Sequence, residues 1–492
     1  MLTEYEIKNV SALNEITEVI SNKAKELGLD FYPTIFEVVP ANTLYTFGAY
    51  TMPTRYGHWS FGKGYFKMKT MYEHGFIKIY EMVINTNPCY AFLVEDNTAT
   101  QNMLIISHVL AHNDFFKNNR TFKKTRRDMV ESMAASANRI REYERKYGRD
   151  EVEVLLDAAH SIANHIDFYD VTISEVKETE TVRRTPYDDI WELNSREVRC
   201  RSEYKKNTQK KTPPSSEFDI LRFIINHSHS LEEWKKDILT IVRDEAYYFY
   251  PQMETHMMNE GWATFWHKRI MNNLDLKFDQ VVDFAKMHAG VVAPNPHKIN
   301  PYYVGSAIFE DILERWNNPS EEDKKKGIVP NSGLEKIFEV RAGETDASFI
   351  RNYLTKELVE KLDLYLYQRT DEHPDAKKGP PQPWAPVLGN KEYWVVSEKE
   401  EWEKIRDHIS FHCTHKGIPT ISVEEINDNN ELVLKHHYDG IPLDKNYAAN
   451  TLAYISMLWN KRPVLLDTVL DDMPVYITYN SATHTATASL KE

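Results

Sequence analysis

Apolar residues recur every three to four positions in several stretches of the chain, which is the spacing of an amphipathic helix. The first stretch spans residues 10–30 and predicts a helix that ends near Gly28. The same pattern returns at residues 218–228 and 254–274, and again in GSAIFEDILERW and SFIRNYLTKELVEKLDLYLYQR. The sequence therefore predicts a largely helical chain.

Two local signals refine the helix predicted after residue 230. Ser230 and Glu233 have the spacing of a capping box, in which each side chain bonds a free amide of the first turn. We expect this helix to run from Leu231 and to be interrupted or kinked at Pro251, because proline has no backbone N–H to donate.

Segments rich in aromatic and β-branched residues predict short strands between and after the helices. In the first half of the chain these are FYPTIFEVVP, TLYTFGAYTMPTRYG, KIYEMVI and AFLV. Near the carboxyl terminus they are YWVV, IPTISVEEI, ELVLKHHYDG, PVLLDTVL and PVYITY, with helical stretches EWEKIRDHISFH and NYAANTLAYISMLW among them. We therefore predict an α+β fold with a mainly helical core and a small carboxy-terminal α+β domain.

Changes in composition divide the chain into five parts. Two of them are linkers, the first charged and poor in aliphatic residues and the second rich in proline. The predicted parts are an N-terminal α+β region (1–175), a charged linker or insertion (176–216), a helical region (217–370), a Pro-rich linker (371–390) and a C-terminal α+β domain (391–492).

The net charge of the chain indicates which classes of binding partner are unfavourable. The 492 residues carry a formal net charge of −14, which argues against a generally basic nucleic-acid-binding protein. A basic run in the first linker is expected to face water rather than nucleic acid. No apolar run approaches the length of a membrane span. The amino terminus lacks a signal-peptide layout and the three cysteines are widely spaced, so we expect a cytoplasmic protein.

The segment MLIISHVLAHNDFFKNN places two histidines four residues apart. On a helix of about 3.6 residues per turn, His108 and His112 project from one face and can share a metal ion. Spacing alone also fits two ordinary hydrogen-bonded imidazoles. The pair is therefore a candidate that needs a third ligand.

A later helix, containing HMMNEGWATFWH, supplies a candidate ligand. On a helical wheel Glu260 lies within about 40° of both His256 and His267, among bulky apolar residues. A carboxylate on an otherwise apolar helix must find a partner, because burial of an unpaired charge is costly. A shared cation would satisfy Glu260, and so would a metal-free hydrogen-bond network that links it to His108 or Lys268.

The pairing of H-x-x-x-H with N-E-G-W-A resembles the gluzincin type of zinc site, which implies a zincin-like core. In that type, two histidines of H-E-x-x-H and a glutamate from a second helix hold the ion. Val109 stands where gluzincins carry their general base, so ordinary proteolysis is doubtful. Asp114 or Glu254 could substitute. We predict a divalent metal at His108, His112 and Glu260, zinc first, with Fe²⁺ or Mn²⁺ as alternatives for a two-histidine, one-carboxylate set.

Several longer motifs, in this order, resemble the SpoVR family, stage V sporulation protein R. They are TFGAYTMPTRYGHWSFGK, HVLAHNDFFKNN, RDMVESMAA, PQMETHMMNEGWATFWHKRI, INPYYVG and IFEVR. The resemblance runs from about Phe31 into the final α+β region and implies a cytoplasmic protein that takes part in forming the spore cortex. The family positions His108, His112, Asp114, Lys117, Glu260 and His267 map onto this chain, whereas His256 is set aside because relatives often carry lysine there.

Two hypotheses follow. The first is a metal-dependent, hydrolase-like protein that acts in the mother cell on a peptidoglycan precursor or a protein partner. Its catalytic candidates are Asp114, Glu254 and His267, with His267 or Asp114 as an auxiliary ligand or proton-transfer group. The second is a non-enzymatic cortex-assembly factor whose metal site is structural or vestigial, as the valine at position 109 would allow.

Overall fold

The chain has an α+β fold in which helices predominate. The computed structural model describes residues 10–73, 81–169, 216–228, 231–294, 299–365, 367–369, 393–395 and 401–491. Across those ranges none of the helices combines the length and apolar character that crossing a bilayer would require.

The helices begin and end as follows: α1 Val10–Glu26, α2 Ala41–Tyr50, α3 Trp59–Glu73, α4 Ala99–Asn118, α5 Met129–Tyr147, α6 Arg149–Ser161, α7 Ile220–His227, α8 Glu233–Glu254, α9 His256–Asn272, α10 Phe278–Val291, α11 Pro301–Asn317, α12 Glu321–Lys325, α13 Gly333–Gly343, α14 Asp346–Tyr353, α15 Lys356–Lys361, α16 Trp402–Cys413 and α17 Lys445–Leu458. The strands are β1 Thr34–Val39, β2 Glu81–Ile84, β3 Cys89–Val94, β4 Tyr367–Arg369, β5 Tyr393–Val395, β6 Ile421–Ile426, β7 Leu432–His436, β8 Val464–Leu470, β9 Met473–Asn480 and β10 Thr485–Leu490.

The chain folds into two compact units, and each unit is built from two separate stretches of sequence. Unit 1 comprises Met1–Asn138 and Tyr248–Gly417, and unit 2 comprises Arg139–Tyr247 and Ile418–Glu492. Both predicted metal-ligand segments belong to unit 1.

Helix α4 lies at the centre of unit 1. Its side chains are buried around almost the whole circumference, which explains why the sequence shows little amphipathic pattern there. Thr98 and Gln101 fix its first turn through a capping box, with bonds of 3.2 and 2.7 Å between side chain and backbone. Helix α9 packs beside it and α11 packs against α9, and the largest buried side chains of this core include Phe115, Trp262, Trp266, Phe309 and Phe349.

A three-stranded sheet completes the amino-terminal part of unit 1. Its strand order is β1-β3-β2, with β1 parallel and β2 antiparallel to the central strand. Strand β3 is buried along nearly all of its length, as expected of a central strand with both faces covered. Strands β4 and β5 form a separate antiparallel pair.

Unit 2 contains a five-stranded sheet in the order β10-β9-β8-β7-β6. Strands β7 and β8 are parallel, and the other neighbours are antiparallel. Burial alternates along β7 and β8, so one face is covered, and α17 packs against β8 and β9. At the far edge, Glu217 and Val423 exchange backbone hydrogen bonds of 3.0 and 2.7 Å.

Most predicted elements are present, and one local prediction is wrong. The residues of TLYTFGAY form part of helix α2 rather than an extended segment, because Leu44 and Tyr45 are buried by helix packing that aromatic content alone does not reveal. Pro251 lies inside α8, which continues to Glu254, so it does not interrupt the helix, and the alternative of a kink at Pro251 stays a prediction. The capping serine at position 230 and both predicted linkers, apart from Ser216, lie outside the described residues.

Candidate metal centre

The candidate centre is formed by two buried helices of unit 1. Helix α4 supplies His108 and His112 from adjacent turns, and α9 supplies Glu260. The carboxylate of Asp346 accepts hydrogen bonds of 2.8 and 2.9 Å from the backbone N–H groups of Met257 and Met258 at the start of α9. This distant cap fixes the helix one turn before Glu260.

The predicted ligand atoms converge on a common point. Oε2 of Glu260 lies 3.6 Å from Nε2 of His108 and 3.5 Å from Nε2 of His112. One ligand atom from each of the three residues lies within 4.8 Å of the other two. Atoms about 2.0–2.1 Å from one tetrahedral ion would lie roughly 3.3–3.4 Å apart, whereas a direct N–H···O bond brings atoms to about 2.9 Å. The two distances from Glu260 therefore suit a shared cation better than direct hydrogen bonds.

Glu260 carries an unsatisfied atom at this point. Its side chain is 16% exposed, but Oε2 is buried and has no hydrogen-bond partner within the described part of the chain. A buried carboxylate oxygen without a partner costs free energy, so natural proteins seldom retain one without a reason. The residues present therefore fit a bound cation.

The protonation states suit metal binding as well. Burial, together with the neighbouring His112, lowers the pKa of His108 to about 4, although Glu260 partly opposes this. Burial raises the pKa of Glu260, but the two imidazoles outweigh burial and hold the pKa of this carboxyl well below its usual range. At neutral pH His108 thus offers a lone pair and Glu260 a negative charge.

Neighbouring side chains orient both imidazoles. Nδ1 of His112 lies 2.9 Å from Oδ1 of Asn259, which can only accept, so the proton of a neutral His112 is on Nδ1. Nδ1 of His108 lies 2.9 Å from Nδ1 of His267, and Nε2 of His267 lies 2.9 Å from Nδ1 of His288. Supporting bonds of this kind fix the tautomer of metal-binding histidines.

His267 lies behind His108 and outside the group of three ligand atoms. Both of its ring nitrogens are engaged by other imidazoles, which favours a supporting role over the predicted role of auxiliary ligand. Burial lowers its pKa well below the ordinary value, so its ring is neutral at pH 7.

Asp114 is fully buried and satisfied by donors from three other parts of unit 1. It accepts bonds from the backbone N–H of Asp30 at 2.8 Å, from the indole of Trp262 at 2.9 Å and from the guanidinium of Arg341 at 3.0 Å. Burial raises its pKa to about 6, against the opposing effect of Arg341. These contacts favour a structural role over the predicted proton transfer.

The remaining candidates occupy the ends of neighbouring helices. Glu254, the last residue of α8, accepts a hydrogen bond of 2.7 Å from the hydroxyl of Tyr250. His256 is half exposed, and its Nδ1 lies 3.7 Å from Oε1 of Glu260. The ring of Tyr302, at the start of α11, lies 6.0 Å from that of His108.

Sequence reasoning missed the supporting residues of this centre. Asn259 belongs to the N-E-G-W-A motif, and its position immediately before Glu260 was the one sequence feature that could have indicated a supporting role. His288 and Asp346 carried no local signal, because their contacts join segments 21 and 89 residues apart.

Comparison with known proteins supports the family that the sequence motifs resemble. A family model described as "SpoVR like protein" matches residues 7–418. The uncharacterized protein YcgB of Escherichia coli (strain K12) is 31% identical over 470 residues, which cover 89% of this chain and 88% of the relative. No solved structure matches the chain significantly. The chain belongs to the SpoVR family, and that membership suggests a sporulation-related protein.

Proposed function

We propose that this protein is a metal-dependent, hydrolase-like factor of spore cortex formation that acts in the cytoplasm of the mother cell. The observation that carries the metal site is the buried, unpartnered Oε2 of Glu260, placed 3.5 and 3.6 Å from two imidazole nitrogens. His108, His112 and Glu260 would hold a divalent ion, zinc in the first place and iron or manganese otherwise. The two buried helices that carry them would form a zincin-like core.

Three protein ligands leave a coordination position for a substrate, as in catalytic rather than structural zinc sites. When bound, the ion would supply Lewis-acid polarisation of a carbonyl or phosphoryl oxygen. Tyr302 flanks His108, and the half-exposed His256 approaches Glu260. A substrate would approach beside these two side chains. We infer a peptidoglycan precursor or a protein partner of cortex assembly as substrate, and no nucleic acid.

One observation favours a second candidate, a non-enzymatic cortex-assembly factor with a structural or vestigial metal site. Val109 is fully buried at the position where gluzincins carry their general base. The carboxylate of Asp114 is committed to Arg341, Trp262 and Asp30. Glu254 then remains as the predicted carboxylate base, with its Oε1 bonded to Tyr250.

A complementation experiment separates the two candidates. His112→Ala and Glu260→Gln would each replace the wild-type protein in a spore-forming bacterium that lacks its own family member. The matched control is His412→Ala, since His412 and His408 form an exposed pair four residues apart on α16. We expect both ligand variants to be produced at wild-type levels and to give spores deficient in cortex, with a normal cortex in the control. Normal cortex with metal-free, folded ligand variants would contradict the hydrolase-like proposal.

A further inference from the structure

A line of three imidazoles leads away from the candidate metal ligands. His108 on α4 bonds His267 on α9, and His267 bonds His288 on α10, each through nitrogen atoms 2.9 Å apart. Phe284, one turn before His288, packs against the second and third rings, with centroid distances of 6.4 and 5.9 Å. The line therefore runs from a fully buried helix to a partly exposed one.

All three rings are in an environment that keeps them neutral. Burial lowers the pKa of each, and Lys268, which lies near His288, lowers that of His267 and His288 further. Glu310 opposes this effect at His288, but it is paired with Lys268 at 2.7 Å. A neutral imidazole has one N–H and one lone pair, so each bond in the line requires a donor on one side and an acceptor on the other.

Two arrangements of protons satisfy both bonds. In the first, His288 Nδ1 donates to His267, His267 Nδ1 donates to His108, and the His108 proton is on Nε2, facing Glu260. In the second, every proton is on the opposite nitrogen, and Nε2 of His108 presents its lone pair toward the carboxylate. Each ring keeps one proton in both arrangements, so the change moves protons along the line without altering their number.

We propose that His288 is a positioning residue that acts through His267 to set the tautomer of His108. This inference rests on the metal site of the proposed function. Only the second arrangement leaves Nε2 of His108 free to bind a cation. It requires His267 to donate from Nε2, and Nδ1 of His288 is the acceptor for that proton. Binding of an ion therefore requires the second arrangement in all three rings together, whereas His112 is oriented independently by Asn259.

A matched pair of variants tests the acceptor. In His288→Asn the amide oxygen takes the place of Nδ1, whereas His288→Leu has a similar shape without an acceptor. Zn²⁺ affinity would be measured by competition with a chromophoric chelator, on the full chain. We expect His288→Leu to bind about 10–100-fold more weakly than the wild type, as for other lost partners of metal-binding histidines, and His288→Asn to bind close to the wild type. Equal affinities of His288→Leu and the wild type, or equally weak binding by both variants, would overturn the proposal.

The ring tautomers supply a second readout, which is measured on the wild-type protein. Nitrogen chemical shifts of ¹⁵N-histidine-labelled protein report which ring nitrogen carries the proton. With Zn²⁺ bound, the protons of His267 and His288 are expected on Nε2 of each ring, with His288→Asn used to assign the His288 signals. Zn²⁺ binding with the proton of His267 on Nδ1 would refute the positioning role and leave the metal site intact. A wild-type protein that binds no Zn²⁺ would instead refute the proposed function, and the positioning role with it.

Discussion

Gly261 and Gly305 bring the backbones of α9 and α11 into direct contact. A Cβ atom on Gly261 would lie 2.4 Å from the carbonyl carbon of Gly305, a distance that real Cβ atoms do not adopt. Gly261 follows the candidate ligand Glu260, and Gly305 lies one turn after Tyr302. The close approach of these two helices therefore fixes the position of Glu260 relative to Tyr302 at the candidate centre.

Gly261→Ala is expected to force the two helices apart. Overpacking costs about 1–3 kcal/mol, which outweighs the gain of roughly 1 kcal/mol from better helix propensity. We expect a lower free energy of unfolding in urea and weaker Zn²⁺ binding. Gly62→Ala in α3 is the control, since its added Cβ meets nothing within 4 Å, and it should be neutral or slightly stabilising. Equal stability of the two variants would contradict the close packing.

Asp114→Asn should destabilise the fold more than it weakens metal binding. The substitution removes the charge that pairs with the buried guanidinium of Arg341, and breaking a buried ion pair costs about 3–5 kcal/mol. Chemical denaturation gives the loss of stability, and chelator competition gives the affinity.

The double variant Asp114→Asn, Arg341→Met supplies the control for this pair. It should lose less stability than the sum of the two single variants, because no unpaired buried charge remains. A variant at position 114 with wild-type stability and no metal binding would instead assign Asp114 to the chemistry of the site.

The metal-free protein should lose stability as the pH falls from 6.5 toward 4. His108 has a pKa of about 4 in the folded state against about 6.5 in the unfolded chain, so the folded state binds fewer protons in this range. The stability that neutral His108 contributes is complete above pH 6.5 and amounts to roughly 3 kcal/mol. His267 and His288 act with the same sign, because their pKa values are also lowered.

Asp114 acts in the opposite direction, since its raised pKa, about 6, lets the folded state bind an extra proton below that pH. The three histidines should nevertheless outweigh it. Urea titrations at pH 7 and pH 5 in the presence of a chelator measure the net effect. His108→Asn should reduce the pH dependence of stability. A free energy of unfolding that is constant or rises on acidification would refute the lowered pKa values of the three histidines.

The sequence predicted the ligands of the candidate site but not what supports them. His108 and His112 could be paired by helical spacing, and Glu260 was conspicuous as a carboxylate on an apolar helix. The bonds of Asp114 to Arg341 and of His267 to His288 depend on how distant helices pack, which local periodicity does not encode. Helix α2 was missed for the same reason, because packing overrides the preference of aromatic residues for strands.

The most direct test is the metal content of the purified chain. Protein stripped with a chelator and reloaded with Zn²⁺ would be analysed by elemental analysis together with titration calorimetry. We expect one ion per chain for the wild type and for His412→Ala, and none retained by His112→Ala or Glu260→Gln, all four being folded by circular dichroism. A wild-type chain without stoichiometric metal, or a Glu260→Gln variant that binds the ion as tightly as the wild type, would contradict the central claim.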